Sequence, residues 1–311
     1  MQRWRKIGLI FTPDKRYDWM YSHAQLPVLE HIKDDLFRVY FASRTKDQRS
    51  HIGYVEFDIK NPKSILKVSD KPVLSPGPIG FFDEHGVYPS SIVDYKGVKY
   101  LYYIGWTQGN RYPLFYASIG LAISEDGGKT FRKYSKAPIL SRNEYDPCLV
   151  TSPYVFIDED GIWKMTYVSG IKWEEINGKL KSYYHIKYAE SLDGINWERK
   201  GIVAIDFSDD KETNIARPCV IKENGIYKMW YSYARDDQSY RIGFAESKDC
   251  KKWVRKDNEV GITVSDKGFD DTMICYPNVI IHKNKKYMVY NGNNYGYDGF
   301  GLAVLEDNNY E

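Results

Sequence analysis

The sequence has few of the features that mark membrane-spanning, disulfide-bonded or zinc-binding proteins. Four cysteines occur in 311 residues, with no CxxC pair and no histidine at zinc-ligand spacing, so neither a disulfide framework nor a metal site is predicted. There is no run of about 18 apolar residues, and the apolar segment near the N-terminus is too short for a signal peptide. We therefore predict a cytoplasmic location and no membrane partner.

The chain also lacks an excess of charge of either sign. With 44 basic and 42 acidic residues its formal net charge is +2, which gives no reason to expect a nucleic-acid partner. No Pro/Gly/Ser-rich linker or low-complexity tract interrupts it, so residues 1–311 are predicted to form a single domain. No cofactor is indicated, and the oligomeric state is left open.

What the sequence does contain is an internal repeat of about 60 residues. Its clearest marker is a proline that opens an apolar strand; the five copies are Pro27, Pro89, Pro153, Pro218 and Pro277. After each proline come the apolar strand, a polar turn, an aromatic-rich second strand such as YKMWYSY, and a third strand such as IGFAES. Such a strand cannot cover its apolar face alone, so neighbouring repeats must pack together.

A radial array of antiparallel four-stranded units is typical of a β-propeller. We predict an all-β fold, a five-bladed β-propeller with four antiparallel strands per blade. The fifth unit ends at its third strand, and the apolar segment Lys6 to Pro13 belongs to no unit. We therefore expect this N-terminal strand to close blade five. An open β-solenoid or two sandwiches are the alternatives.

Acidic residues recur in the loops that enter the first strands. Asp83, Glu212 and Asp271 each stand six residues before their proline, and Asp146 stands seven before Pro153. Equivalent positions around a pseudo-fivefold axis form a ring, so four carboxylates are expected at one mouth of the central channel. The alternative for each is a structural role, in which it caps a turn or pairs with a nearby arginine.

Polar and aromatic residues at the exits of the second strands are expected at the same mouth. With Arg217 beside a blade proline and the loop residue His23, the candidate ligand-binding residues are Arg44, Trp106, Lys172, Arg217, Arg235, Asn291, Asn293 and His23. The 28 tyrosines and the aromatic fraction of 16% suit a surface on which sugar rings lie flat, although blade packing also uses aromatics. We predict a polar-ligand pocket there.

Three turns after the third strands, such as Ser124 to Phe131, follow an S-x-D-x-G-x-T-[WF] pattern or a copy one residue shorter. They are interpreted as structural turns on the opposite face.

With the five-unit repeat, Asp146-Pro147 and the Glu212 that opens unit four, the chain resembles the five-bladed propeller glycosidases. These are glycoside hydrolase family 43 and the related invertase/levansucrase and mannoside phosphorylase groups. The resemblance implies Glu212 as general acid and Asp146 as the orienting residue. The blade-one base of family 43 has no counterpart, because Tyr21 stands six residues before Pro27. Asp18, or Asp14 further back in the same loop, is then the candidate base, and Asp83 or Asp271 is the alternative candidate to hold the water.

The resemblance implies a carbohydrate-active enzyme, and the leading hypothesis is an inverting glycoside hydrolase with a carboxylate pair. The first alternative is a glycosyltransferase or phosphorylase acting on a carbohydrate or sugar phosphate, because arginines near the mouth suit phosphate. The chain is also similar to uncharacterised propeller proteins of surface-polysaccharide gene clusters. The second alternative is a non-catalytic sugar-binding propeller.

Overall fold

The computed structural model describes residues 1–306 and confirms the all-β class. Several strands, such as β2 (Ser22–Lys33), β3 (Leu36–Arg44) and β8 (Phe115–Ser124), contain continuous buried runs, so they are buried on both faces and do not alternate simply between core and solvent. In β3, for example, residues 37–43 are all buried. The expected aromatic and β-branched composition therefore reflects packing on both sides of each sheet.

The twenty strands of residues 1–306 pair in five sets of four. Set one contains β2 (Ser22–Lys33), β3 (Leu36–Arg44), β4 (Ser50–Asp58) and β5 (Ile65–Val68). Set two contains β6 (Gly86–Tyr95), β7 (Val98–Gln108), β8 (Phe115–Ser124) and β9 (Arg132–Lys133). Set three contains β10 (Leu149–Ile157), β11 (Trp163–Ile176), β12 (Lys179–Ser191) and β13 (Glu198–Ile205).

Set four contains β14 (Glu212–Glu223), β15 (Ile226–Arg235), β16 (Gln238–Ser247) and β17 (Trp253–Arg255). Set five contains β18 (Cys275–His282), β19 (Lys285–Asn291), β20 (Phe300–Leu305) and the N-terminal β1 (Trp4–Phe11), which pairs antiparallel with β20. A 3₁₀ turn at Asp257–Glu259 and a short helical turn, α1 (Asn293–Gly296), complete the elements. Pairing within every set is antiparallel.

The first strands of the sets contact one another in a cycle. β2 contacts β6, β6 contacts β10, β10 contacts β14, β14 contacts β18, and β18 contacts β2. Because each set turns its first strand toward these contacts, the residues that precede the repeat's prolines come together in the middle of the molecule.

An aromatic ring on the second strand lies opposite a small residue on the third strand in most sets. Tyr103 pairs with Gly120 and Tyr231 with Gly243. A Cβ atom at Gly120 would lie 2.2 Å from the Tyr103 ring, and one at Gly243 would lie 2.5 Å from the Tyr231 ring. The glycine of the IGLAIS and IGFAES motifs therefore makes room for the ring of the preceding strand.

The three Ser-x-Asp turns are closed by their own hydrogen bonds. In the turn after β12, the Ser191 hydroxyl accepts from the backbone N–H of Gly194 at 2.9 Å, and Asp193 accepts from the N–H groups of Ile195 and Asn196 at 2.8 Å each. Neighbouring sets use the turn as an anchor, because the Tyr102 hydroxyl donates to the Gly194 carbonyl at 2.7 Å. Within residues 1–306 no helix has the length and apolarity needed to cross a membrane.

Candidate functional site

A large cavity, the central pocket, is lined by the first strands of all five sets. Its volume is about 1140 Å³. Each set contributes residues just before or near its proline; among them are Leu26, Tyr88, Ser152, Ala216 and Tyr276. The pocket therefore lies within the cycle of first strands, near the ends at which those strands begin.

Aromatic side chains make up much of the pocket wall. They are Tyr88, Trp106, Tyr112, Phe115, Tyr184, Tyr240, Tyr276 and Tyr295. The Tyr276 and Tyr295 rings are stacked, with centroids 6.4 Å apart and planes 25° apart. The hydroxyls of Tyr184 and Tyr240 hydrogen-bond to each other, which fixes two further rings. Flat, fixed rings of this kind can support the apolar faces of a sugar.

Uncharged polar groups stand between the rings. The lining amides and hydroxyls are those of Gln25, Gln48, Gln108, Thr151, Ser152, Ser182, Thr213, Asn214, Gln238 and Ser239. Asn214 is itself held in place, because its Nδ2 donates to the Ser182 carbonyl at 3.0 Å and its Oδ1 accepts from the Thr213 hydroxyl at 2.9 Å. The pocket thus offers oriented donors and acceptors to a hydroxylated ligand.

Four charged residues line the pocket: Arg44, Arg235, Asp236 and Asp237. Asp236 is paired with Lys181, and Asp237 lies 3.1 Å from the Lys211 ammonium. Arg235 is paired with Asp209 at 2.8 Å and approaches Asp237 at 3.5 Å. Three of the four charges are therefore already compensated.

Arg44 differs, because its contacts are with amides. Its Nε donates to the Gln25 side-chain oxygen at 3.1 Å, and its Nη1 lies 3.4 Å from that of Gln48. Among residues 1–306 no carboxylate lies within ion-pair distance of it. Arg44 therefore presents a charged planar fork to the pocket.

Arg217 lies directly behind the pocket wall, next to the lining residue Ala216. Its side chain is only 1% exposed and bridges three sets. Nη1 donates to the carbonyl and hydroxyl oxygens of Ser90 at 2.8 and 2.7 Å, and Nη2 donates to the carbonyl oxygens of Leu26 and Pro27 at 3.4 and 3.2 Å. Its Nε has no hydrogen-bond partner, and no described residue places a carboxylate within ion-pair distance.

The entry-loop acids do not line this pocket. Asp83 is fully buried, paired with the Lys133 ammonium at 2.5 Å, and accepts a hydrogen bond from the Tyr103 hydroxyl at 3.2 Å. Lys133 belongs to β9, the fourth strand of the same set. The carboxylate therefore joins the second strand to the fourth strand, and we call this arrangement of acid, tyrosine and cation a clamp.

Set three contains a second clamp. Asp146 is fully buried, accepts a hydrogen bond from the Tyr167 hydroxyl at 3.0 Å, and is paired with Arg199 of β13 at 2.8 Å. Lys187, which replaces the third-strand glycine of the other sets, lies 3.4 Å from the same carboxylate. Two cations therefore compensate Asp146.

Glu212 takes part in the clamp of set four. Only 2% exposed, it accepts from both Nη atoms of Arg255 at 2.6 and 2.8 Å and from the Ser208 N–H at 2.8 Å. Arg255 also pairs with Asp257, at 2.7 Å, and Asp257 accepts from the Tyr231 hydroxyl at 2.5 Å. The tyrosine is thus bonded to Asp257 here, while Glu212 is held through the arginine.

In set five the clamp uses Asp270 instead of the predicted Asp271. Asp270 pairs with Lys6 of the N-terminal strand at 2.7 Å and accepts from the Tyr290 hydroxyl at 3.1 Å. Asp271 instead accepts from the Asn293 amide at 2.7 Å. Set one has Phe41 where the other sets have the tyrosine, which accounts for the missing acid at Tyr21.

The other predicted site residues separate into two groups. Arg44, Trp106 and Arg235 line the pocket, with Trp106 Nε1 donating to the Ser50 hydroxyl at 3.3 Å. The remainder do not line it; they are Asp18, His23, Lys172, Asn291 and Asn293.

Each residue of the second group has another environment. Asn291 is fully buried and bonds the backbone of Ala24, Leu26 and Gly299. Lys172 lies 3.4 Å from Glu174, and Asp18 is exposed. Burial, together with the charge of Arg44, lowers the pKa of His23 to about 4, so its imidazole is neutral at physiological pH.

Most of the aromatic lining was not anticipated from the sequence. A local signal existed for Tyr88 and Tyr276, since both directly precede a repeat proline on a first strand. Tyr184 and Tyr240 had no such signal, because they lie on third strands, which the repeat did not assign to the pocket. Within residues 1–306 no cluster of three His, Cys, Asp or Glu side chains is arranged to hold a metal ion.

Solved structures of glycoside hydrolases have a similar fold. A structure named "Glycoside hydrolase" superposes with a TM-score of 0.76 at 20% identity, covering 96% of this chain and 90% of that one. A thermostable family-43 glycoside hydrolase gives a TM-score of 0.70 at 20% identity, covering 95% and 92%. The resemblance to these glycosidases is thereby confirmed at the level of the fold.

Two proteins are similar in sequence to nearly the whole of this chain. Uncharacterized protein MT1551 of Mycobacterium tuberculosis (strain CDC 1551 / Oshkosh) is 41% identical over 304 residues, covering 98% of this chain and 99% of that protein. Uncharacterized protein Rv1502 of Mycobacterium tuberculosis (strain ATCC 25618 / H37Rv) is 40% identical over 304 residues, and the match again covers 98% of this chain and 99% of that protein. The chain belongs to the family of these mycobacterial proteins.

A more distant relative has a named activity. The 1,2-beta-oligomannan phosphorylase of Thermoanaerobacter sp. (strain X514) is 28% identical over 191 residues, covering 61% of this chain and 58% of that protein. No family model matches the chain.

Proposed function

We propose that this protein is a carbohydrate-active enzyme that binds a saccharide in the central pocket and acts there on a glycosidic bond. The observation that carries the proposal is the pocket wall, in which fixed aromatic rings alternate with oriented amides and hydroxyls. The named activities of the similar proteins, glycoside hydrolase and oligomannan phosphorylase, support the same class of ligand.

We also infer that the five strand sets are the blades of one five-bladed propeller that takes in the whole chain. Antiparallel pairing within each set and the cycle of first-strand contacts support this assignment. The N-terminal strand, paired with β20, then completes blade five.

The chemistry needs a carboxyl group that reaches the ligand. Inverting hydrolysis uses two, one as general acid and one to activate water. Only Asp236 and Asp237 supply carboxylates among the lining residues. Glu212 and Asp146 are instead held in clamps by Arg255 and Arg199. We therefore propose Asp236 or Asp237 as the proton donor because they line the pocket; this role requires the bound ligand to displace Lys181 or Lys211, so that the carboxylate can take up a proton. We assign structural roles to Glu212, Asp146 and Asp83, which lie outside the pocket.

A second candidate reaction is phosphorolysis, in which inorganic phosphate takes the place of water. Phosphate is itself the nucleophile, so a second carboxylate to activate water is not needed. The two lining acids are neighbours on one hairpin turn, and a water-activating carboxylate on the opposite side of the pocket is not found among the lining residues. This arrangement suits a reaction with one proton donor.

Turnover of a panel of aryl glycosides, with and without inorganic phosphate, tests these proposals. We expect Asp236→Asn or Asp237→Asn to reduce kcat about 100-fold or more, the usual loss of a general acid, with ligand affinity retained. Asp160→Asn, an exposed acid outside the pocket, is the matched control. Phosphate-dependent turnover would identify phosphorolysis.

Glu212→Gln examines the role implied by the family resemblance. If the folded Glu212→Gln variant keeps its saccharide affinity but loses turnover, while Asp236→Asn and Asp237→Asn both stay active, the proton donor is Glu212 and our assignment is wrong. If calorimetry detects saccharide binding but no panel member is turned over by the wild type, the protein is a sugar-binding propeller.

A further inference from the structure

The central pocket has an uncompensated positive charge, and this points to a particular class of saccharide. We infer that the ligand is a saccharide carrying an anionic group, a carboxylate or a phosphate, which Arg44 contacts directly while Arg217 provides a fixed positive charge behind the pocket wall. The inference rests on the proposed function and specifies its substrate class.

Arg217 is the first observation that supports it. Its guanidinium is bonded only to carbonyl and hydroxyl oxygens, from Leu26, Pro27 and Ser90, and its buried Nε has no partner. These dipoles satisfy hydrogen bonds but do not neutralise the charge. Burying an ion without a counter-ion is unfavourable, so the fold retains a destabilising positive charge at this position.

That charge persists at neutral pH. Burial lowers the pKa of Arg217 to about 10, which still leaves the group protonated. Burial raises the pKa of the nearby Cys219, Tyr276 and Tyr154, so these groups are neutral at this pH, and no described carboxylate pairs with Arg217. Because the Arg217 side chain is buried, its charge is screened less than that of an exposed arginine.

Arg44 is the second, independent observation. It lines the pocket on the side of set one, and its partners are the uncharged Gln25 and Gln48. A guanidinium held in place by amides keeps donors free for the two oxygens of a carboxylate or phosphate, which its planar fork matches.

The acids at the rim do not cancel these two cations. Asp236 is paired with Lys181, and Asp237 with Lys211. Arg235, the third arginine of the region, is already paired with Asp209. Each of these three ion pairs has no net charge. Among residues 1–306, the uncompensated charges in the region of the pocket are therefore those of Arg44 and Arg217.

Calorimetric titration of the full-length protein with matched sugars tests the inference. The probes are methyl glycosides of glucose, galactose and mannose, the corresponding uronates and 6-phosphates, and inorganic phosphate alone. We expect at least one charged sugar to bind about 10-fold or more tightly than its neutral counterpart, with the preference falling as salt is added. The uronate and 6-phosphate arms show which anionic group is used.

Arg44→Gln should remove most of the preference, because the affinity for the charged sugar should fall more than the affinity for its neutral counterpart. Arg132→Gln, an exposed arginine outside the pocket, should change neither. Arg217→Lys keeps the charge and should keep the preference, whereas Arg217→Met should weaken it. Arg217→Met also removes hydrogen bonds that join three sets, so its thermal melting is measured in parallel. If Arg217→Met does not fold, the result for Arg44→Gln decides the test.

Equal binding of charged and neutral sugars by the wild type would overturn the inference and leave the proposed function standing. So would binding of inorganic phosphate by itself together with equal affinity for all the sugars, since the anion would then be a separate ligand. If neutral and charged sugars both fail to bind, the proposed function itself is contradicted.

Discussion

At the scale of single residues, the buried carboxylates of this protein contact tyrosines and cations on strands of their set. Asp146 contacts Tyr167, Arg199 and Lys187, and Asp83 contacts Tyr103 and Lys133. A buried ion pair adds little net stability by itself, but removing one partner leaves the other charge buried and uncompensated. Variants at such positions should therefore lose stability before they lose chemistry.

Replacing the acid of a clamp should destabilise the fold strongly. Asp146→Ala leaves Arg199 and Lys187 without a counter-ion, and we expect the free energy of unfolding to fall by about 3–5 kcal/mol. Urea denaturation followed by tryptophan fluorescence measures it. Asp18→Ala, at an exposed acid, serves as control and should change stability by less than about 0.5 kcal/mol. A small loss for Asp146→Ala would show that the clamp contributes little.

Removing only the tyrosine hydroxyl of a clamp should have a smaller effect. Burial, with a contribution from Asp83, raises the pKa of Tyr103, so the phenol stays protonated and donates to the carboxylate. Tyr103→Phe should cost about 1–3 kcal/mol in the same assay, because Asp83 keeps Lys133 but loses one donor. Tyr134→Phe, at a ring that is 45% exposed, should be close to neutral. Equal effects of the two changes would argue against this role.

At the scale of elements, the Ser-x-Asp turns show how a short motif is stabilised by its own backbone. Burial alone would raise the pKa of Asp193, but hydrogen bonds from the Asn196 backbone and side chain, with others in the turn, lower it to about 2. The pKa of Asp249 is also lowered, chiefly by the backbone N–H of Lys252. These carboxylates must be ionised for the turns to keep their bonds.

These turns should make the protein sensitive to acid. Because an aspartate pKa of about 4 in the unfolded chain falls on folding, the unfolded state binds more protons in this range, and stability rises with pH. The contribution of Asp193 is thus complete above about pH 4 and is lost as the pH falls toward 2. Urea midpoints measured from pH 6 to pH 2.5 should decline, and Asp193→Asn should flatten that decline. An unchanged slope in the variant would contradict this account.

At the scale of the whole molecule, the N-terminal strand β1 pairs with β20, the last strand of residues 1–306. β1 pairs along β20, Trp4 is buried against Trp230, and Lys6 provides the cation of the Asp270 clamp. Without β1 the edge of β20 would be exposed, and an open edge of this kind promotes aggregation.

Deleting residues 1–11 should therefore prevent stable folding. We expect loss of the cooperative thermal transition in circular dichroism and early elution on size exclusion, since the deletion removes a strand, a buried tryptophan and a clamp cation together. Arg3→Ala, at a side chain 81% exposed on the same segment, is the control and should melt like the wild type. A truncated protein that remains monomeric and melts cooperatively would show that closure by β1 is dispensable.

The repeat itself could be predicted from the sequence because it depends on local patterns. Proline spacing, strand alternation, polar turns and the serine and aspartate of the third turn each act within a few residues, and they are enough to predict an all-β chain and its strand sets. Arg44, Trp106 and Arg235 could also be placed near the pocket, since they lie at the ends of second strands.

The direction in which each acid points was decided only by the tertiary structure. Asp83 forms an ion pair with Lys133, Asp146 with Arg199, and Asp270 with Lys6, which is distant in the chain. These partners come from fourth strands, so a regular spacing before the prolines predicts that the acids are equivalent but not that they are buried.

The same applies to the charge of the pocket. In the sequence, Arg217 is marked only by its place before a proline. In the structure, its guanidinium donates to oxygens of Leu26, Pro27 and Ser90. The sequence by itself therefore determined the repeat and its strands, which follow from local propensity and patterning. The tertiary structure decided which charges are neutralised and which remain uncompensated at the central pocket, because an ion's environment depends on residues that are distant in the chain.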